Sequence, residues 1–187
     1  MIGVGLKEWA IVCDLLLEGR LAIMLRKGGI HESGGPGVFE LEYPRFALFP
    51  SWAHQKPEMI KPDIRPRVQV LDEPAEIPLS GVGQAVRIWQ IPSREAFDTL
   101  DDLHPWTKDQ VDMRFNYKPH NPIYVMAVRT WKLPAAKVVK NYPEYAGCKS
   151  WVPFRQADEV EETGLIPTMS DEAFDAIIRR VDAAMKS

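Results

Sequence analysis

The chain has 187 residues, a formal net charge of −3, and 45% hydrophobic against 26% charged residues. That length suits one domain, which buries roughly 70% of its unfolded surface and needs neither disulfides nor a metal to fold. The acidic balance excludes the composition of a strongly basic nucleic-acid binder, though a local basic face is compatible with it, and the two cysteines, Cys13 and Cys148, form no disulfide framework.

Met1 to Leu6 lacks a basic stretch followed by an apolar core, so no signal peptide is expected there. No apolar run approaches the ~20 residues of a membrane span. These features predict a cytoplasmic protein that does not enter a membrane.

In chain order, Lys7 to Glu18 reads as a buried helix through Ala10, Ile11, Cys13, Leu15 and Leu17, with Gly19 as its C-terminal cap. Arg20 to Arg26 reads as a strand. Its centre, Leu21 to Leu25, is continuously apolar, as in a central strand covered on both faces. Five of the eleven residues 27–37 are glycine, which predicts a loop. Val38 to Glu42 and Arg45 to Phe49 read as strands, and Ser51 as the cap of a short helix over 50–55. Prolines 57, 62, 66, 74 and 78 make residues 56–82 an extended excursion, with a strand piece at Val68 to Leu71.

Gln84 to Ile91 alternates as a strand. Ser93 caps a helix to Leu103, and Thr107 with Gln110 forms a capping box for a helix to Tyr117. Pro122 to Leu133 is a strand, and Tyr142 to Phe154 is loop-rich. Arg155 to Met169 reads as an acidic linker. Ser170 then caps an amphipathic helix with Phe174, Ile177, Ile178, Val181 and Met185 on its apolar stripe. The fold class expected is mixed α/β (α+β): a central mixed sheet flanked by helices over 1–154, a linker over 155–169, and a helix over 170–187. That stripe must dock on the domain or on a second copy, which makes a homo-oligomer one expectation.

Four constellations carry candidate chemistry. Arg26, Lys27, Gly28 and Gly29 follow the first strand. The amides of a Gly-Gly turn beside two cations can cradle an anion, although the spacing is not that of a Walker loop and a solvated hairpin tip has the same composition. Among the histidines, His54 and His104 are candidate general bases with Glu8 or Glu32 assisting. No His or Cys spacing suits zinc, and Glu40-Leu41-Glu42 lacks the lysine of a two-metal nuclease strand, so neither a metal nor a cofactor is expected. Cys148 has Lys149 beside it, which favours a thiolate, but a half-buried turn cysteine is the commoner case. Finally Trp106, Arg114, Tyr117, Lys118, Arg129, Trp131, Lys149 and Trp151 combine cations with ring faces suited to stacking on a base or holding a phosphate, although tryptophan on a strand is usually core or interface.

Several short segments together resemble one family. They are Lys7-Glu8-Trp9-Ala10, Leu25-Arg26-Lys27-Gly28-Gly29-Ile30-x-Glu32, Leu48-Phe49-Pro50-x-x-x-His54-Gln55, His104-x-Trp106-Thr107, Val128-Arg129-x-Trp131-x-Leu133 and Tyr145-x-Gly147-Cys148-Lys149-Ser150-Trp151. The family is domain of unknown function 1802. The resemblance covers residues 6–154 and implies a compact domain with these loops as its signature. The acidic segment and terminal helix after Arg155 are not part of it.

The residues support three readings. The first is a binding module for an anionic small molecule or nucleic acid, using Arg26, Lys27, Arg114, Arg129 and Lys149 for charge and Trp106 or Trp151 for stacking. The second is a hydrolase or nuclease-like enzyme using His54 or His104 with Glu8 or Glu32. The third is a scaffold.

Overall fold

A computed structural model describes residues 1–27 and 41–186. The chain forms a curled mixed sheet with helices packed on it, the α+β class expected. The strands are β1 (Val4–Trp9), β2 (Ile23–Arg26), β3 (Arg45–Ser51), β4 (Glu76–Gln90), β5 (Tyr124–Lys140), β6 (Trp151–Pro153) and β7 (Ile166–Pro167). The α-helices are α1 (Ala10–Leu17), α2 (Arg94–Asp98), α3 (Lys108–Asn116) and α4 (Asp171–Ala184). The sheet order is β2-β5-β4-β3-β1-β6, with β7 also paired to β5. β1 and β3 run parallel, and every other described pair is antiparallel.

The three expected strands do share one sheet: β2 pairs with β5, and β5 pairs with β4. The expected central position of β2 is corrected, because it stands at one end of the order. Its four residues are all buried nonetheless. The sheet curls until Arg26 on β2 reaches Glu8 on β1 and Ser150 beside β6. Arg114 of α3 also donates to the Leu25 carbonyl at 3.0 Å, tying that helix to the strand. A continuous apolar run therefore reports coverage, here by curling and a helix, and not a central place.

The first expected helix begins three residues late. Lys7 to Trp9 belong to β1, and the chain turns directly into α1 at Ala10. Trp9 provides no side-chain cap. The amide of Ile11 instead donates to Oε1 of the buried Gln55 at 3.0 Å, so a residue 44 positions away satisfies an otherwise orphaned donor. At the other end Gly19 takes φ +70, and a β-carbon there would lie 2.2 Å from the Thr168 carbonyl oxygen, so glycine is required twice over.

Other local expectations are also revised. Residues 50–55 hold no helix, and Ser51 ends β3. Val68 to Leu71 form no strand, whereas 3-10 turns occupy Pro57–Met59 and Arg65–Arg67. Of the expected strand at 38–42, residues 38–40 lie outside the described residues and 41–42 are not in a strand. Ser93, Thr107 and Ser170 each accept from the backbone amide three residues on, as their caps predict. The helix after Ser93 ends at Asp98 and continues as a 3-10 turn over Asp101–Leu103.

Two hydrophobic clusters fill the fold, one built around Leu6, Leu15, Phe46, Phe97 and Val125, the other around Phe49, Ile77, Leu79, Val82 and Tyr145. Phe174, Val181 and Ala184 of α4 belong to the first, so the buried part of the terminal stripe is taken up by this chain's own core. Arg129 pairs with Asp171 and lies 4.9 Å over the Phe174 ring, while Trp89 donates to Asp182 at 2.8 Å, and these contacts hold α4 in place. Residues 155–169 carry a 3-10 turn at Gln156–Asp158, a bridge from Val160 to Ile2, and β7. The Tyr145 hydroxyl donates to Asp158 at 2.7 Å and accepts from the Arg155 amide at 2.8 Å, and burial with the nearby Asp158 carboxylate pushes its pKa up to about 12. Among the described residues no helix is long and apolar enough to cross a membrane.

Candidate functional site

The seam where the curled sheet closes carries two adjoining cavities of about 320 Å³ each, with Glu8 and Trp9 in the wall of both. The first is lined by Lys7, Glu8, His54, Glu73, Cys148 and Lys149 among others. The second is lined by Glu8, Arg26, Lys27, Gln110, Arg114 and Tyr117, together with Trp9, Leu25 and Met113.

Glu8 is 6% exposed and wholly engaged, its Oε1 accepting from the Trp9 amide at 2.8 Å and its Oε2 from Arg26 at 3.1 Å. A buried carboxylate held by two donors is poorly placed to take a substrate proton. Arg26 also donates to the Ser150 hydroxyl at 2.5 Å. Lys27 donates to the carbonyls of Arg114 and Phe115 at 2.9 and 3.0 Å. These are C-terminal carbonyls of α3, where a cation meets the negative end of the helix dipole.

In the first cavity, Lys7 donates to the carbonyls of Tyr145 and Gly147 at 2.6 and 3.1 Å. Its pKa is lowered mainly by burial, with Lys149 adding to the effect and Glu73 opposing it. Lys149 donates to the Glu144 carbonyl. His54 is exposed and holds φ 65, in the left-handed region that few non-glycine residues adopt and in which Asn, Asp and His are over-represented. Glu73 accepts from Ser51 Oγ and from the Ala53 amide.

The second cavity is set by α3. Arg114 lies 4.6 Å over the Trp106 ring and donates to Leu25, and burial lowers its pKa against the pull of Glu8. Its Nε is buried with no acceptor, and Oε1 of Gln110 is buried with no donor, among the described residues.

The expected site residues thus divide. Glu8, His54 and Lys149 meet in the first cavity, and Glu8, Arg26, Lys27 and Arg114 in the second. His104 lies elsewhere, stacked on Phe97 at 4.8 Å with Nδ1 accepting from the Trp106 amide at 3.2 Å. Burial lowers its pKa to about 4, aided by Lys61 and opposed by Asp101. Trp106 is 2% exposed and packs edge-on against Trp9 at 5.0 Å, while Trp151 packs on Phe46 and Tyr43. Arg129 serves the docking of α4. Gly28, Gly29 and Glu32 lie outside the described residues.

Lys7 and Gln110 escaped the sequence reading as site residues. A signal for Lys7 was present: a Lys-Glu pair inside an otherwise buried stretch. Gln110 was read as half of a capping box, and only one half forms: its amide donates to Thr107 Oγ1, whereas the Thr107 amide that its carboxamide would serve donates to the Met59 carbonyl at 3.0 Å. No group of three or more His, Cys, Asp or Glu suited to a metal occurs among the described residues.

A family model described as domain of unknown function (DUF1802) matches residues 5–180. The match includes residues 155–180, which the sequence reading had set apart from the family. No curated protein and no solved structure matches the chain.

Proposed function

The chain belongs to the DUF1802 family, and from that premise we propose that it is a binding module for an anionic, nucleotide-like or nucleic-acid ligand held in the paired cavities at the sheet seam. One observation carries this reading. The two cavities are lined by five cations (Lys7, Arg26, Lys27, Arg114 and Lys149) against two carboxylates (Glu8 and Glu73), a balance of +3 in a chain whose net charge is −3. Lys7, Lys27, Lys149 and Arg114 donate to backbone carbonyls, and among the described residues none of the four is ion-paired to a carboxylate. Carbonyl dipoles position a cation without cancelling its charge, so the field in the cleft stays positive and draws an anion. The Trp9 and Tyr117 rings in the second cavity add faces on which a base can stack.

The test is a titration of the full chain with mononucleotides and with short single-stranded DNA and RNA at low and high salt. Binding that weakens as salt rises supports the reading. Lys149→Glu should reduce affinity at least roughly tenfold with an unchanged melting temperature, since reversing one charge beside a phosphate removes a charge-assisted contact. No binding to any of these probes at low salt overturns it.

The hydrolase reading keeps one supporting observation. His54 is exposed on strained backbone in the wall of the first cavity. Hydrolysis of a bound nucleotide that disappears in His54→Ala, with affinity retained, would move the protein to that class.

A further inference from the structure

We propose that the second cavity is a nucleobase subsite in which Gln110 and Arg114 read the hydrogen-bonding edge of the base, an inference that rests on the anion-binding reading of the cleft. Gln110 and Arg114 stand four residues apart on α3 and therefore on one face of the helix. Gln110 is 3% exposed, yet its Oε1 receives no hydrogen bond, and Nε of Arg114 donates none, among the described residues. Both side chains line the cavity.

Each such atom is destabilising when left buried and unpaired. The fold leaves one acceptor and one donor in this condition on one face of α3 and in one cavity wall, and a ligand that supplies a donor to the first and an acceptor to the second satisfies both at once. Nucleobases carry that pair on one edge, either as an exocyclic amino group beside a ring nitrogen or as a ring N–H beside a carbonyl.

The surroundings suit a base. The Arg114 guanidinium is fixed by its bond to Leu25 at 3.0 Å and by its seat 4.6 Å over Trp106, so its Nε–H has a set direction. Trp9 is likewise held edge-on to Trp106 at 5.0 Å, and Tyr117 stands opposite solvent, 47% exposed. A volume of about 320 Å³ is at the small end of ligand sites and fits a single heterocycle better than an extended molecule. Arg26 and Lys27 in the same wall place positive charge beside the base for its phosphate.

The experiment compares AMP, CMP, GMP and UMP with ribose 5-phosphate on the full chain, and AMP and UMP with their N6,N6-dimethyl and N3-methyl counterparts, which lack the edge donor. Each arm is repeated with Gln110→Leu. At least one mononucleotide should bind roughly tenfold or more tightly than ribose 5-phosphate, and methylation or Gln110→Leu should erase that advantage, in line with about one buried hydrogen bond. Gln110→Leu should melt no lower than wild type, because it removes an unsatisfied acceptor. A structural glutamine would instead lower the melting temperature.

Equal affinity for mononucleotides and ribose 5-phosphate overturns the base subsite while leaving the anion reading in place. Failure of every probe to bind overturns both. The methylated ligands use the wild-type protein, so the proposal stays exposed to refutation even if Gln110→Leu fails to fold. Short single-stranded DNA in the same series tells a free nucleotide from a base within a strand.

Discussion

The Arg26 guanidinium and the Glu8 carboxylate meet at 3.1 Å although three strands separate β2 from β1 in the sheet order. The contact ties the two ends of the curled sheet together, with side-chain exposures of only 10% and 5%. Removing one member of so buried a pair strands the other charge.

Arg26→Leu should therefore destabilise the protein by about 3–5 kcal/mol. Replacing both residues with apolar ones should cost clearly less than the two single changes summed. A double-mutant cycle by denaturant unfolding checks both statements, and additive losses would deny the coupling.

Lys27→Glu should lower stability by about 1–2 kcal/mol, because an acid replaces a cation at the C-terminal carbonyls of α3. The expected signature is local. Hydrogen exchange should speed up in the last turn of α3 before the rest of the chain. Uniform exchange with an intact α3 would count against Lys27 as its cap.

His104 makes stability fall on acidification. Its folded pKa of about 4 lies below the ordinary 6.5, so between those values the unfolded chain binds the proton and the folded chain does not. Stability is thus complete above about pH 6.5 and declines as pH falls toward 4, by up to about 3 kcal/mol. Thermal melts across that window should show the slope, and His104→Gln should flatten it. Asp102 and Glu18, whose pKa values are lowered by Arg180 and Arg67, and Glu144, lowered first by a backbone hydrogen bond and then by Arg155, lose their contribution at more acidic pH.

Phe174→Ala should cost about 3–5 kcal/mol, since the ring is 2% exposed within the main core and sits under Arg129. Truncation after Thr168 should leave an aggregating product, because it uncovers that core. A soluble truncated chain with a wild-type melting temperature would show that α4 is dispensable.

Local chemistry was legible in the sequence; distant contacts were not. The caps Ser93, Thr107 and Ser170 and the Gly19 stop each depend on residues within a few positions, and all four hold. The β1-to-α1 junction was hidden, because a short buried apolar run reads alike as helix or strand. Its true cap, Gln55, comes from 44 residues away. The same distance effect reassigns Lys27, whose partners are 87 and 88 positions away. Of the site, the residue types were legible at Glu8, Arg26, Arg114 and Lys149. Which of them face the cleft depends on the curl of the sheet, and local periodicity carries no trace of that.

The pairing of β1 with β6, and of Ile2 with Val160, joins segments about 150 positions apart, so closing the sheet is a non-local event. Until closure, β1 leaves the apolar residues Val4 and Leu6 beside an unpaired edge, a template for pairing with another chain. In the folded chain the same strand lies between β3 and β6, with both of its edges paired.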